Sequence, residues 1–378
     1  MIDWEGMLSH VLINPGYSAK RRETVEALIE EWGSPWEGHL WLATSGSSNQ
    51  KWVGISKTAF LNSAKAVNQH LESTSSDCWL QALPPFHAGG LAIEARAYLS
   101  GAVVLPFSDH ASRWDPAGFC ETVHSNRSTL SSLVPAQLYD LVRAGCAPPS
   151  SLRALIIGGG VLPASLYTEA CRAGWPVLPS YGLTECSSQV ATATLGSWTS
   201  GLPPVLQKLP HLQVCLKNGR FAFKGPSLFS VYLIEKQQAD PLIVDGKEDG
   251  WFVSEDVGEI LGEQILPKGR VDSLLKIGGE SVDFFQLELH LQELRAALGI
   301  EVDLALVSVP DLRLGEVIGL AHTGCPSSVR EHLIELFNQH VLPFERIRVV
   351  QELARIPRSP LQKLIRNELR EAFTKQSC

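Results

Sequence analysis

Thr44, Ser45, Gly46, Ser47 and Ser48 form an unbroken run of small residues, and Lys51 follows after Asn49 and Gln50. A loop of this kind can turn backbone N–H groups toward phosphate oxygens. Its hydroxyls add donors and the lysine adds a mobile positive charge. The chemistry it suits is the binding of an anion. The G-x-x-x-x-G-K-[ST] pattern of P-loop NTPases is absent. A serine-rich turn standing alone is more often a plain solvated loop, so the run needs support from the rest of the chain.

The elements that would position such a site alternate strand-like and helix-like runs. SLRALIIGGG (151–160) has the apolar run of a buried parallel strand that ends in a glycine turn. PASLYTEACRAG (163–174) follows as a helix with Pro163 early and Gly174 as its stop. PVLPSYGLTE (176–185) supplies the next strand and the loop leaving it. This rhythm predicts an α/β fold with a mostly parallel sheet, whose ligands collect at the carboxyl ends of strands. The loops at 158–160 and 180–185 are therefore site candidates. From about Asn218 the strands become short, alternating and aromatic-rich, as in an antiparallel unit. Beyond KGRVDS (268–273) the pattern gives a helix over 284–298, a strand over 303–310, a helix over 328–341, a last strand and a final helix from about Pro360. That tail is long enough for its own α+β core, with a hinge expected near Arg270 to Asp272.

Composition narrows the class without deciding it. The chain has 378 residues, 44% hydrophobic and 19% charged, with a net charge of −8. Basic runs of five or more residues are absent, which argues against nucleic acid as a partner. Apolar stretches stay short of the ~18 residues of a membrane span. The opening MIDWEGMLSH lacks a basic, then apolar, secretory pattern. Eight scattered cysteines without a CxxC pair suggest neither zinc nor a disulfide framework. A reducing, cytoplasmic setting fits these features.

Seven segments occur in an order that carries more than any one alone. TSGSSNQK (44–51), PPFHAGGL (84–91), LIIGGGVLP (155–163), YGLTE (181–185), GWFVSEDVGEI (250–260), GRVDSLLKIGGE (269–280) and PRSPLQK (357–363) span most of the chain. Together they resemble the motifs of the adenylate-forming superfamily, which includes acyl-CoA synthetases, luciferases and peptide-synthetase adenylation domains. Within it, SSLVPAQLYDLV (131–142), GGGVLPASL (158–166) and above all YGLTECSSQVAT (181–192) resemble the o-succinylbenzoate–CoA ligases of menaquinone and phylloquinone biosynthesis.

The resemblance implies a large domain over 1–268, made of parallel and mixed sheets flanked by helices, with an antiparallel β subdomain at about 218–268. A mobile α+β domain would follow over 269–378, hinged at Asp272. It implies ATP, Mg²⁺ and coenzyme A as cofactors and a small-molecule carboxylate as substrate. The acid would attack the α-phosphate of ATP, and the thiol of CoA would then displace AMP. On this resemblance Thr44 to Ser48 and Lys51 hold the β- and γ-phosphates. Gly158, Gly159 and Gly160 line the adenine pocket, and Tyr181, followed by Gly182, stacks on the base. Thr184 bonds the α-phosphate and Glu185 binds Mg²⁺. Asp256 accepts the ribose hydroxyls and Arg270 sits near ribose and phosphate. Lys363 bridges the acyl carboxylate and the α-phosphate in one pose of the small domain. In the other pose Lys276, Gly278 and Gly279 replace it and line the CoA tunnel. His87 matches a position gating the acyl pocket, and Ser188, Gln189 and Thr192 offer hydrogen bonds to a polar aromatic acid.

Four departures from the family pattern stand out. Asn49 and Gln50 replace the usual Gly-x-Pro and shorten the phosphate loop, which leaves Lys51 or Lys57 as its lysine. Ser254-Glu255-Asp256 replaces Thr-Gly-Asp and adds a negative charge. Gln362 stands where a glycine usually precedes the catalytic lysine. Only about forty residues precede the phosphate loop, which suggests a lost subdomain and exposed apolar surface suited to a homodimer. Two other readings stay open at this point: a ligase for a different aryl or fatty acid, and a non-catalytic adenylate-binding protein.

Overall fold

The structure is a computed structural model that describes residues 2–33, 35–44, 51–107, 114–236, 239–271, 274–278, 280–359, 362 and 364–375. It divides into two compact units. The first holds residues up to Ser254 together with Gly258–Pro267, and the second holds Glu255–Val257 and Lys268–Cys378.

The first unit is built on two sheets. Four strands, Val103–Pro106, Cys78–Gln81, Leu130–Leu133 and Ala154–Ile157, pair in parallel and continue into Val177–Leu183. The central strands Cys78–Gln81, Leu130–Leu133 and Ala154–Ile157 are short and mostly buried, as expected where helices cover both faces of a parallel sheet, while Val103–Pro106 at the edge is not. The direction then reverses. Ser188–Thr192 pairs antiparallel with Val177–Leu183, and Leu206–Lys208, Gln264–Arg270, Phe252–Leu261, Arg220–Lys224 and Gln213–Lys217 extend the same sheet. The second sheet runs in the order His10–Leu12, His39–Thr44, Lys51–Ser56, Val231–Lys236 and Ala239–Val244. The strands after Asn218 therefore do not close on themselves. Some lengthen the large sheet, and Val231–Lys236 crosses to pair with Lys51–Ser56.

The helices Lys57–Leu71 and Ala88–Ser100 bury apolar faces in a core shared by both sheets, with Phe60, Leu91, Leu42, Val53, Val190 and Phe223 among its members. Lys57, the alternative phosphate-loop lysine, is committed elsewhere. It is 4% exposed, and its Nζ donates to the carbonyls of Asp3 and Gly6. The helix expected over 163–174 spans Ala164–Arg172, with Gly174 beyond its end at φ +93°. No helix among the described residues is long and apolar enough to cross a membrane.

The second unit opens with a hairpin, Leu274–Ile277 and Glu280–Asp283, and the helix Phe284–Ala297. Its three-stranded sheet comprises Leu304–Asp311, Gly315–His322 and Ile347–Glu352, with helices Ser327–Gln339 and Arg366–Lys375. Strand alternation divides the core in two. Leu304 and Leu306 join Ile318, Leu333 and Phe337, while Ala305 and Val307 join Leu369 and Phe373. The last helix begins six residues later than the sequence suggests, because Arg358 clasps the chain ahead of it. Arg358 pairs with Leu364 in an isolated bridge, grips Asp303 through Nε and Nη2 at 2.9 and 2.7 Å, and donates from Nη1 to the Gln362 carbonyl at 3.0 Å. Gln362 has φ +58°, a left-handed conformation that glycine adopts freely and other residues resist. That is the physical reason a glycine is usual there.

Candidate active site

The site candidates of the first unit cluster where the large sheet changes direction. Strand Val177–Leu183 runs to a 3₁₀ turn at Thr184–Cys186, and the chain returns through Ser187 and Ser188 at φ 57° and 95°. Two consecutive non-glycine residues with positive φ store strain of the kind that collects at functional turns. Gly182 makes the reversal feasible, since a Cβ there would lie 2.1 Å from the Ser188 carbonyl oxygen. The turn carries Thr184 and Glu185, and Tyr181 precedes it with its ring 5.7 Å from that of Phe221.

The glycine turn at 158–160 lies beside this strand because Ile157 pairs with Pro179. A Cβ on Gly158 would come 2.7 Å from Ser180 Oγ, and Gly159 has φ +75°. The glycines therefore let backbone approach the strand that carries Tyr181.

Thr44 ends one strand and Lys51 opens the next, in direct register, so the two strands that flank the small-residue run are paired antiparallel. Ser45, Gly46, Ser47 and Ser48 lie outside the described residues, as does the side chain of Thr44. Lys51 Nζ lies 3.7 Å from Glu185 Oε1 and 3.8 Å from the centre of the Tyr232 ring. Tyr232 donates its hydroxyl to the same Oε1 at 3.0 Å. Burial first, and then the Glu185 carboxylate, hold the Tyr232 phenol well above its ordinary pKa. Among the described residues Glu185 Oε2 accepts no hydrogen bond. No cluster of three His, Cys, Asp or Glu side chains able to hold a metal occurs among them either. The donor set fits Mg²⁺, which commonly takes one or two carboxylates and completes its shell with phosphate and water. Glu185 would hold it.

Ser188, Gln189 and Thr192 are all buried on the strand Ser188–Thr192. Gln189 Oε1 accepts from Arg96 Nη2, and its Nε2 donates to Thr192 Oγ1. Arg96, 2% exposed on helix Ala88–Ser100, is the cation the sequence reading passed over. Burial lowers its pKa to about 9. Its Nε has no hydrogen-bond partner among the described residues, and its guanidinium stands 5.5 Å from the centre of the Trp79 ring. The available signal was a lone basic residue in the apolar stretch LAIEARAYL. Tyr232, 47 residues from Glu185, gave no local signal. His87 is the N-cap residue of the Arg96 helix and packs on Phe86 at 4.6 Å between ring centres.

In the second unit Asp256 is buried, and Arg270 Nη1 donates to its Oδ1 at 3.2 Å. Along the strand Ser254 and Asp256 point inward while Glu255 is exposed. The extra charge of Ser254-Glu255-Asp256 thus faces away from Asp256, a correction to the sequence-based expectation that it would load the site. Gly278, at φ +60°, turns the hairpin that contains Lys276. Asp272, Gly279 and Lys363 lie outside the described residues.

Comparison with known proteins places this geometry in a family. The family model for AMP-binding enzymes matches residues 10–233. The chain belongs to the AMP-binding enzyme family. It is 28% identical, over 91% of its length and 72% of the relative's, to a 2-succinylbenzoate–CoA ligase of Bacillus cytotoxicus. Its fold matches the Bacillus subtilis o-succinylbenzoate CoA synthetase (MenE) in complex with the acyl-adenylate OSB-AMP, with a TM-score of 0.71 and 24% identity over 87% of this chain and 68% of that one. It matches ATP-bound MatB of Rhodopseudomonas palustris comparably, with a TM-score of 0.72 and 20% identity over 90% and 69%.

Proposed function

We propose that this chain is an AMP-forming acyl-CoA ligase that converts 2-succinylbenzoate, ATP and CoA to 2-succinylbenzoyl-CoA, AMP and diphosphate, in menaquinone or phylloquinone biosynthesis. The observation that carries the ligase reading is the convergence of Lys51, Thr184, Glu185 and Tyr232 on one strained turn. The relatives named for 2-succinylbenzoate support the choice of acid.

Both half-reactions shift charge onto oxygen, so fixed cations and donors lower the barrier by positioning and electrostatics. Tyr181 and the backbone of Gly158 to Gly160 would orient the nucleotide. Thr184 would hold the α-phosphate and Lys51 would follow the departing pyrophosphate. Mg²⁺ on Glu185 would supply Lewis-acid neutralisation of the phosphates. Asp256 and Arg270 would serve the ribose, and Lys363 would bridge acid and phosphate in the adenylation step. Turning about Asp272 would then bring Lys276, Gly278 and Gly279 to the CoA channel. Arg96, buried on helix Ala88–Ser100 and bonded to Gln189 of the strand Ser188–Thr192, suits a substrate with a second carboxylate better than a neutral chain.

The test is thioester formation with ATP, Mg²⁺ and CoA, offering 2-succinylbenzoate, benzoate, 4-coumarate and octanoate, with Lys363→Ala alongside. Turnover confined to 2-succinylbenzoate and lost in the variant is expected. Preferential use of another acid would remove the quinone assignment and keep the ligase.

A further inference from the structure

Glu185 is held at both ends by one segment. The Phe229 N–H donates to the Glu185 carbonyl at 2.8 Å, and the Tyr232 hydroxyl, three residues on, donates to Oε1 at 3.0 Å. The Tyr232 ring has little freedom to leave. It is 6% exposed and lies 4.3 Å, centre to centre, from the Phe229 ring. Gly246 presses so close to both rings that a Cβ there would sit 2.5 Å from Tyr232 Cε2 and 3.1 Å from Phe229 Cζ. Lys247 closes the loop by donating to the carbonyls of Phe229 and Ser230 at 3.1 and 2.9 Å. A ring wedged in this way fixes the direction of its hydroxyl.

We propose that Tyr232 is a positioning residue for the metal-binding carboxylate: by occupying Oε1 it fixes the rotamer of Glu185 and reserves Oε2 for the divalent cation. This rests on the reading of Glu185 as the metal-binding residue. Losing a partner that orients a metal ligand typically costs roughly 10–100-fold in metal affinity. Lys51 rests on the face of the same ring, so Tyr232→Phe removes only the hydroxyl and keeps the surface on which the lysine lies.

The experiment titrates Mn²⁺, followed by electron paramagnetic resonance, into the protein bound to an ATP analogue with a methylene bridge between its α- and β-phosphates. Wild type, Tyr232→Phe and Glu185→Gln are compared. Tyr232→Phe is expected to weaken Mn²⁺ binding roughly tenfold or more, with analogue affinity in the absence of metal unchanged. Conversion of supplied acyl-adenylate and CoA to thioester, which has no pyrophosphate charge to neutralise, should fall far less than Mn²⁺ affinity does. Wild-type Mn²⁺ affinity in Tyr232→Phe, with Glu185→Gln impaired, overturns the positioning role alone. Wild-type affinity in both variants overturns the assignment of Glu185 as well. Equal loss of Mn²⁺ affinity and of adenylate-to-thioester conversion in Tyr232→Phe overturns the proposal in favour of a purely structural tyrosine.

Discussion

Removing a guanidinium from water costs several kcal/mol unless an anion or a full set of acceptors replaces the solvent. Among the described residues Arg96 has the amide oxygen of Gln189 and the face of Trp79, with no carboxylate. A protein tolerates that arrangement when a ligand completes it, and the second carboxylate of 2-succinylbenzoate has the required charge. Replacing Arg96 with methionine keeps most of the buried volume and removes the charge. The Michaelis constant for 2-succinylbenzoate should rise roughly tenfold or more, the worth of a hydrogen bond to a charged group. The constant for ATP should hold. Steady-state kinetics on the folded variant decide the matter, and an unchanged constant for the acid would return Arg96 to a packing role. Gln189, read from the sequence as a direct substrate contact, spends its amide on Arg96 and Thr192, so its side chain also braces the guanidinium.

Much of the element holding Thr184 and Glu185 was legible from local pattern. The apolar run before Gly158, the helix after Pro163 and the strand into Tyr181 follow from periodicity and from glycine and proline punctuation. The reversal after Leu183 was not, because it depends on Ser187 and Ser188 accepting left-handed backbone, which serine does not advertise. Pairings between distant strands were equally hidden. No local rule brings Val231–Lys236 beside Lys51–Ser56, yet that pairing delivers Tyr232 to Glu185 and Lys51. The face of Glu255 illustrates a milder failure: alternation along Phe252–Leu261 would have assigned it outward had the strand been read residue by residue. Gly182→Ala tests the turn as a unit. Its new methyl would meet the Ser188 backbone rather than a mobile side chain. A loss of about 1–3 kcal/mol in denaturant unfolding is expected, with adenylation falling further than stability explains. An unperturbed unfolding curve would show that the hairpin relaxes freely.

For the whole chain, one polar junction ties the parallel strands together at their amino ends. Asp77 precedes strand Cys78–Gln81 and receives Arg153 Nε and Nη2 at 2.9 and 2.7 Å, the Thr129 hydroxyl at 2.7 Å and the Thr74 N–H at 3.0 Å. Burial alone would raise its carboxyl. The Arg153 fork, the Thr74 N–H and the Thr129 hydroxyl outweigh burial and hold it at about 2. A carboxyl whose folded pKa lies below its unfolded value stabilises the fold at pH above the unfolded pKa and loses that contribution as pH falls. Asp77 should therefore contribute about 2 kcal/mol at neutral pH, lost between roughly pH 4 and pH 2. Asp77→Asn should lower neutral stability by a similar amount and flatten the acid limb of the unfolding profile. Parallel profiles for the two proteins would refute the linkage.

The most direct measurement of the central claim is isotope exchange between pyrophosphate and ATP with CoA left out, run with and without 2-succinylbenzoate. It isolates the adenylation step, which we propose takes place beside Lys51 and Glu185. Exchange that depends on 2-succinylbenzoate, requires Mg²⁺ and fails in Glu185→Gln is the result expected of an adenylate-forming ligase. ATP binding with no exchange on 2-succinylbenzoate, benzoate, 4-coumarate or octanoate would contradict it and leave a nucleotide-binding protein without the reaction.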